Sequence, residues 1–120
     1  KVTTVNILNK IKPTTCVAWF NGCEKLTEIK NMENLNTSAC TEMVAMFVAC
    51  SSLTSLDASH WNTFECTDMS YMFDKCKNFQ TLSGHDLGEP DCDKRLDYCR
   101  EHIFDMTNVK NHYGMFGIPM

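Results

Sequence analysis

A repeat of 26 to 27 residues is the feature of this 120-residue sequence that most limits its fold. The stretch that begins at Cys50 reads CSSLTSLDASHWNTFECTDMSYMFDK, and the stretch that begins at Cys23 reads CEKLTEIKNMENLNTSACTEMVAMFVA. Both open with Cys, carry leucine or isoleucine at matching places and end in a Met-Phe pair, and Cys76 then restarts the pattern. Self-similarity at a fixed period of this length is typical of stacked repeat architectures.

Two incomplete units flank the two full ones. Before Cys23, the pattern is present as a half unit that ends in Trp19-Phe20. After Cys76 it is interrupted and resumes at Phe104, so that Met115-Phe116 takes the Met-Phe place and Pro119 takes the next Cys place. The sequence therefore predicts one domain over residues 1–120, with units at about 1–22, 23–49, 50–75 and 76–118 and an insertion at about 83–103.

Each unit carries two apolar patterns. Met69, Met72, Phe73 and Cys76 lie at i, i+3, i+4 and i+7, which predicts one face of a short helix. The leucines at the start of each unit suit a short strand. The expected fold class is an α/β repeat solenoid, a right-handed leucine-rich-repeat-like coil of about four units with short parallel strands, short helices and one helical insertion.

The residues expected to form the core of this coil are the apolar ones at recurring positions. They are Trp19, Phe20, Leu26, Ile29, Met43, Met46, Phe47, Leu53, Leu56, Trp61, Met69, Met72, Phe73, Leu82, Met115 and Phe116.

The string LTSLDASHWNTFECTDMSYMFDKC resembles the BspA-type leucine-rich repeat family, whose consensus runs roughly L-x-x-L-D-L-S-x-W-N-T-S-x-V-T-x-M-x-x-M-F-x-x-C. The match is closest from Cys50 to Cys76. Cys40 and Cys66 stand where that family usually has Val, and the long insertion is no part of its repeat. The resemblance implies a right-handed leucine-rich-repeat solenoid and a surface or secreted protein that binds other proteins.

Composition excludes several function classes. The net charge is −4, which argues against nucleic-acid binding, since that needs a basic face. Hydrophobic residues make up 43% of the chain and charged residues 22%, as in a globular protein, and no apolar run approaches the length of a membrane span. No nucleophile elbow, glycine-rich phosphate loop or paired-carboxylate spacing occurs, so we expect a non-enzyme without a cofactor.

Eight cysteines leave two interpretations open. Their large, even number suggests disulfides in an oxidising compartment. However, six of them recur at fixed places in the repeat, as small buried hydrophobic residues would. Cys92 and Cys99 differ, because they lie in the insertion DCDKRLDYCREHIF, which reads as a helix. Seven residues apart on a helix they cannot bridge, whereas without the helix they are the candidate disulfide pair.

The sequence contains two further candidate sites, one for zinc and one for glycosylation, and each has a simpler structural explanation. His85, Cys92, Cys99 and His102 are zinc-type ligands near the insertion, but their spacing fits no standard zinc motif, so we expect no metal. Asn36 opens the sequon Asn36-Thr37-Ser38 and is a candidate glycosylation site, and it also suits a turn residue of the repeat.

The two ends of the sequence suggest contacts beyond it. The chain starts at Lys1, which fits a mature protein or a fragment, and the apolar ending that includes Ile118 and Met120 fits either further repeats or packing on another protein.

The predicted function is therefore a non-catalytic protein–protein interaction module for surface or secreted recognition or adhesion. The alternative is a small structural or accessory subunit of a large multiprotein assembly, docked through its open C-terminal end and its insertion. The corresponding locations are extracellular or cell surface, and organellar or intracellular.

Overall fold

A computed structural model describes residues 2–118; Pro119 and Met120, used above for the repeat register and the apolar ending, lie outside the described residues, as does Lys1. The strands are β1 (Thr4–Asn6), β2 (Glu28–Lys30), β3 (Ser55–Leu56), β4 (Thr81–Leu82) and β5 (His85–Asp86), with a 3₁₀ helix at Met32–Asn34 and one α-helix, α1 (Cys92–His102). Over residues 2–118 no helix is long and apolar enough to cross a membrane.

The strands form two small sheets. β1 and β2 pair in parallel, with Val5 opposite Ile29. β3 and β4 also pair in parallel, with Leu56 opposite Leu82, and β5 adds to β4 in the antiparallel direction through the tight turn at Gly84. The second sheet therefore ends in a strand that runs against the direction of its neighbours.

The predicted fold class is wrong. The described residues form a small molecule with a radius of gyration of 13.1 Å, a two-stranded sheet, a three-stranded sheet and a single α-helix. This is not the predicted four-unit leucine-rich-repeat solenoid. The i, i+3, i+4, i+7 pattern fails to give helices because the backbone N–H groups do not donate to the carbonyl four residues back. Those of Met69 and Phe73 donate to the next segment, and those of Met72 and Cys76 donate to the carbonyl three residues back.

Four turn segments stand where the short helices were expected. We define them as residues 15–23, 42–50, 68–76 and 111–118, and their backbone consists mainly of turns. Ala18, Ala45 and Tyr71 have φ between 56° and 58°, and Gly114 has φ 65° at the matching place. A residue with left-handed backbone angles in the middle of a segment interrupts an α-helix, so these four segments are not helical.

Adjacent turn segments are joined by parallel bridges, which connect Thr15 to Glu42, Glu42 to Asp68, and Asp68 to Asn111. Between the segments, alternate N–H groups donate to the carbonyls of the following segment, as Cys16 does to Glu42 at 2.9 Å. The donors point the same way at every step towards the fourth segment. Within residues 2–118, the fourth segment is therefore the one whose equivalent donors have no acceptor.

The core lies between the turn segments and the strands. Phe20, Phe47, Phe73 and Phe116 stack ring on ring, with centroid distances of 5.4, 5.4 and 5.2 Å between successive members. Offset stacks of this kind add to the hydrophobic effect of burying the rings. This stack fixes how the fourth turn segment sits on the third.

Helix α1 begins where Asp91 caps it by accepting a hydrogen bond from the Lys94 N–H at 3.0 Å. Its buried face carries Cys99 and Arg95. The Arg95 guanidinium, buried with 6% of its surface exposed, donates to three carbonyls that precede the helix. These are the carbonyls of Phe79 (2.8 Å), Gly88 (2.8 Å) and Glu89 (3.0 Å). Arg95 therefore fixes α1 to the loop that leads into it.

Candidate functional site

The exposed edge of the fourth turn segment is the main candidate site. In the third segment, the N–H groups of Met69, Tyr71 and Phe73 donate to the fourth at 2.9, 2.9 and 2.7 Å. The equivalent donors of the fourth segment belong to His112, Gly114 and Phe116. Within residues 2–118 none of these three N–H groups has an acceptor.

A groove of about 360 Å³ runs along this edge. One wall is residues 110–117, and the other is the first half of α1, through Cys92, Asp93 and Leu96. Leu96 is half-buried and Asp93 is exposed. The groove is therefore lined on one side by Cys92, Leu96 and an exposed carboxylate, and on the other by the segment that carries the unpaired donors.

Two contacts hold α1 beside the edge. The Cys92 thiol donates to the Phe116 carbonyl at 3.5 Å, and Arg100 Nη2 lies 3.2 Å from His112 Nε2. The first contact is at the start of α1 and the second is two turns later, so the helix spans the length of the edge. Both contacts use groups other than the N–H groups of His112, Gly114 and Phe116, which have no acceptor among the described residues.

Gly114 lets the fourth segment approach the third closely. A Cβ at Gly114 would lie 2.8 Å from Cδ1 of the Tyr71 ring, and the backbone there has φ 65°. Any other residue would therefore clash and strain the backbone at once. The position of the unpaired donors depends on this glycine.

Most of the predicted core positions are buried, and five are more exposed. Those with at most 6% of their surface exposed are Leu26, Met43, Met46, Phe47, Leu53, Leu56, Met69, Met72, Phe73, Leu82 and Met115. Phe20, Ile29, Trp61 and Phe116 are half-buried and pack against the core. Trp19 is 36% exposed.

Trp61 stacks on Phe104 with ring centroids 6.0 Å apart, yet its buried indole Nε1 has no hydrogen-bond partner among the described residues.

All eight cysteines are free thiols. Cys92 and Cys99 lie seven residues apart on α1, about 10 Å along its axis, so the structure does not bring the candidate disulfide pair together. The Sγ atoms of Cys16 and Cys40, which are both fully buried, lie 3.6 Å apart. The hydrogen bond between them and burial raise the pKa of Cys16.

Burial also raises the pKa of other core thiols, because an apolar environment disfavours the thiolate. The pKa is about 11 for Cys50 and Cys66, and about 12 for Cys76 and Cys99. These thiols are therefore protonated at neutral pH and are poor nucleophiles.

The two histidines among the zinc-type residues, His85 and His102, both contact Tyr98. His85 Nδ1 lies 2.9 Å from the Tyr98 hydroxyl, and the His102 ring packs against the Tyr98 ring. Over residues 2–118, no group of three or more His, Cys, Asp or Glu side chains is arranged to hold a metal ion.

Asn36 is exposed, and its side-chain oxygen accepts a hydrogen bond from the Ser38 N–H at 3.0 Å. The neighbouring Thr37 is buried, and its hydroxyl donates to the Asn62 carbonyl and accepts from the Asn62 N–H. The Asn36 side chain thus both faces solvent and closes a turn.

Sequence reasoning placed the C-terminal end among the docking candidates but missed the row of donors. Two signals pointed to it. Gly114 and Gly117, both with positive φ, interrupt an otherwise apolar stretch, and the repeat alignment puts His112 at the place of Met69. Neither signal shows which N–H groups lack acceptors, because that depends on pairing between segments.

Comparison with known proteins yields one family. A family model described as "Mycoplasma protein of unknown function, DUF285" matches residues 4–118. No curated protein and no solved structure matches the chain. The resemblance to BspA-type repeats therefore stays a prediction.

Proposed function

We propose, for a chain that belongs to the DUF285 family of Mycoplasma proteins of unknown function, a non-catalytic role as a protein-binding module. The observation that carries this proposal is the groove between α1 and residues 110–117, where unpaired backbone donors lie beside apolar side chains. Exposed apolar patches flanked by polar groups are typical of protein-interaction surfaces.

The exposed side chains near the groove support this role. Tyr113, which lines the groove, is 56% exposed, and Ile118 just beyond it is 51% exposed. Aromatic residues in such positions provide large contact area at low entropic cost. A protein that docks through this end would act as a small accessory subunit, held by its C-terminal end and by the insertion that contains α1.

Site-specific photo-crosslinking tests the proposal. A photoreactive phenylalanine analogue is placed at Tyr113 and, as a matched control, at Phe64, which is 48% exposed and does not line the groove. In cells of the source organism we expect a discrete protein adduct from position 113 and none from position 64.

Asp93→Trp, which fills the groove from its exposed rim, should remove the adduct, whereas Asp97→Trp, one turn further on and outside the lining, should not. Equal adducts from positions 113 and 64, or no adduct at all, would overturn the proposal.

A second candidate is recognition at a cell surface or after secretion. Exposure of the Asn36 side chain in its sequon favours it, because a glycan needs an accessible asparagine. Intact mass of the protein from its native source decides this: a glycan mass that disappears in Asn36→Gln supports it, and an unmodified mass with eight free thiols counts against it.

A further inference from the structure

Two thiols of the core are in direct contact. The Sγ atoms of Cys16 and Cys40 lie 3.6 Å apart, and both side chains are fully buried. Other buried thiols donate instead to backbone carbonyls, as Cys50 does to that of Phe20 at 3.1 Å. A disulfide places its sulfur atoms about 2.05 Å apart, so this pair has to close by about 1.5 Å. Small rotations of the two side chains cover that distance.

The pairing of the backbones brings the two thiols together. Thr15 is bridged in parallel to Glu42, and the Cys16 N–H donates to the Glu42 carbonyl at 2.9 Å. Cys16 follows this bridge by one residue and Cys40 precedes it by two, so the side chains meet diagonally across adjacent stretches of chain. The contact is therefore set by the fold and not by two mobile side chains.

The next repeat makes the equivalent contact with one thiol only. There Met43 takes the place of Cys16, and Cys66 takes the place of Cys40. The Met43 N–H faces the Cys66 sulfur as the Cys16 N–H faces that of Cys40. Met43 is completely buried, so a side chain without a thiol fills this place in the core. Packing alone therefore does not require a thiol at Cys16.

A two-electron oxidant can join the two sulfurs. A hydrogen bond from the Cys16 thiol lowers the pKa of Cys40, which makes Cys40 the nucleophile of the pair. Its sulfur attacks hydrogen peroxide, the O–O bond breaks, and one water leaves with the Cys40 proton, so that Cys40 becomes a sulfenic acid. The Cys16 sulfur then displaces the sulfenic hydroxyl group, which leaves with the Cys16 proton as a second water. Two thiols and one peroxide thus give one disulfide and two waters.

Burial of the pair selects the oxidant and the product. The neighbouring residues Thr15 and Thr41 are exposed, so the sulfurs lie just beneath the surface. Hydrogen peroxide is little larger than water and enters during brief local openings, whereas bulky thiol reagents are excluded. A sulfenic acid at Cys40 is already in contact with Cys16, so the reaction stops at the disulfide.

We propose that Cys16 and Cys40 are a redox pair, which a peroxide closes to a disulfide and which a dithiol reopens. The bond links the first turn segment to the residues that lead into the second, across 24 positions of the chain. Closing a loop of this length stabilises a fold mainly by restricting the unfolded chain. The pair lies outside the groove beside α1 and is independent of the proposed binding role.

Thiol counting and mass mapping test the pair. The reduced full chain is treated with millimolar hydrogen peroxide at neutral pH, freed of peroxide with catalase, unfolded in urea and alkylated. We expect a mass loss of about 2 Da before alkylation, because two hydrogens leave. Six thiols should then be alkylated in place of the eight of the reduced chain.

Protease digestion locates the link. Cleavage after glutamate releases residues 34–42, in which Cys40 is the one cysteine. A second cleavage after the aromatic residues Trp19 and Phe20 separates Cys16 from Cys23. We expect the fragment that contains Cys40 to be joined to the fragment that contains Cys16.

Two matched variants separate this pair from the other thiols. Cys40→Val copies Val109, which takes the equivalent place in the fourth unit, and should leave all seven remaining thiols free after peroxide. Cys66→Val changes the same place in the third unit and should keep the link between Cys16 and Cys40. In the wild-type chain the link should raise the melting temperature by about 10 °C, and dithiothreitol should reverse the rise.

Three results would overturn the proposal. The first is eight free thiols after peroxide treatment of the folded protein. The second is a link that joins other cysteines, or one between Cys16 and Cys40 that forms only in urea. The third is a linked protein that melts no higher than the reduced one. All three are measured on the wild-type chain, so the test does not depend on how well a variant folds.

Discussion

Phe47 lies at the centre of the aromatic stack and is fully buried between Phe20 and Phe73. Phe47→Ala should lower the free energy of unfolding by about 3–5 kcal/mol, because it removes the ring's burial and leaves a cavity in a stacked core. Urea unfolding followed by circular dichroism measures this. The control Phe64→Ala, at an exposed position, should stay within about 0.5 kcal/mol. Equal losses for the two would mean that the stack does not form in solution.

The buried thiols predict a weakness at high pH. Their folded pKa values of about 11 to 12 lie above the unfolded value of 9.0, so the folded state holds these protons more tightly. The stabilisation is complete below pH 9 and is lost as the pH rises from 9 towards 12. Unfolding by urea at stepped pH should therefore show stability falling above pH 9.

The matched variant for this test is Cys99→Ala, which removes one of the titrating thiols and should make the decline with pH shallower. A decline of the same slope in both proteins would assign the pH effect to other groups.

At the scale of single residues, the sequence was informative about which side chains are apolar and recurrent. The spacing of Met43, Met46 and Phe47 predicts that they are core residues, and the structure buries all three completely. The same pattern predicts that Trp19 is buried, but it is 36% exposed, because among residues 2–118 the first turn segment is bridged on one side only. Sequence spacing cannot show which copy of a motif lies at an edge.

At the scale of elements, the sequence misled about conformation. The buried positions of a turn segment follow i, i+3, i+4 and i+7, which is also the pattern of a helix face. The two differ in which carbonyls accept from the backbone N–H groups. Here alternate N–H groups donate to the next segment, and others donate to the carbonyl three residues back. Left-handed alanines at positions 18 and 45 are the local cause, and alanine gives no sequence signal for that conformation.

The packing of helix α1 depends on the buried guanidinium group of Arg95. Arg95→Met should remove the donor for the carbonyls of Phe79, Gly88 and Glu89 and lower the free energy of unfolding by about 1–3 kcal/mol. Hydrogen exchange of the α1 amides should speed up more than exchange in the turn segments, because the lost contacts belong to the helix. Lys94→Met, an exposed neighbour, is the control. Unchanged exchange in α1 would mean that packing through Cys99 suffices to hold it.

At the scale of the whole molecule, the two ends differ in chemical character. Among residues 2–118, the first turn segment leaves carbonyls such as those of Val17 and Trp19 without donors, and the fourth leaves N–H groups without acceptors. This polarity follows from the common direction of the hydrogen bonds between segments. It could not be predicted from the sequence, because apolar patterning does not encode the direction in which a backbone donates.

Hydrogen exchange of the protein alone tests this polarity. The N–H groups of Met69, Tyr71 and Phe73 in the third turn segment are paired, and those at the equivalent places in the fourth have no acceptor within residues 2–118. Within each pair the residues occupy the same place in the turn, which makes the third segment an internal control. Exchange at His112, Gly114 and Phe116 should be about a hundredfold faster than in the third segment, because no structural opening has to precede it. If both rows exchange equally slowly, the edge is already covered in solution and the groove is not free to bind a partner.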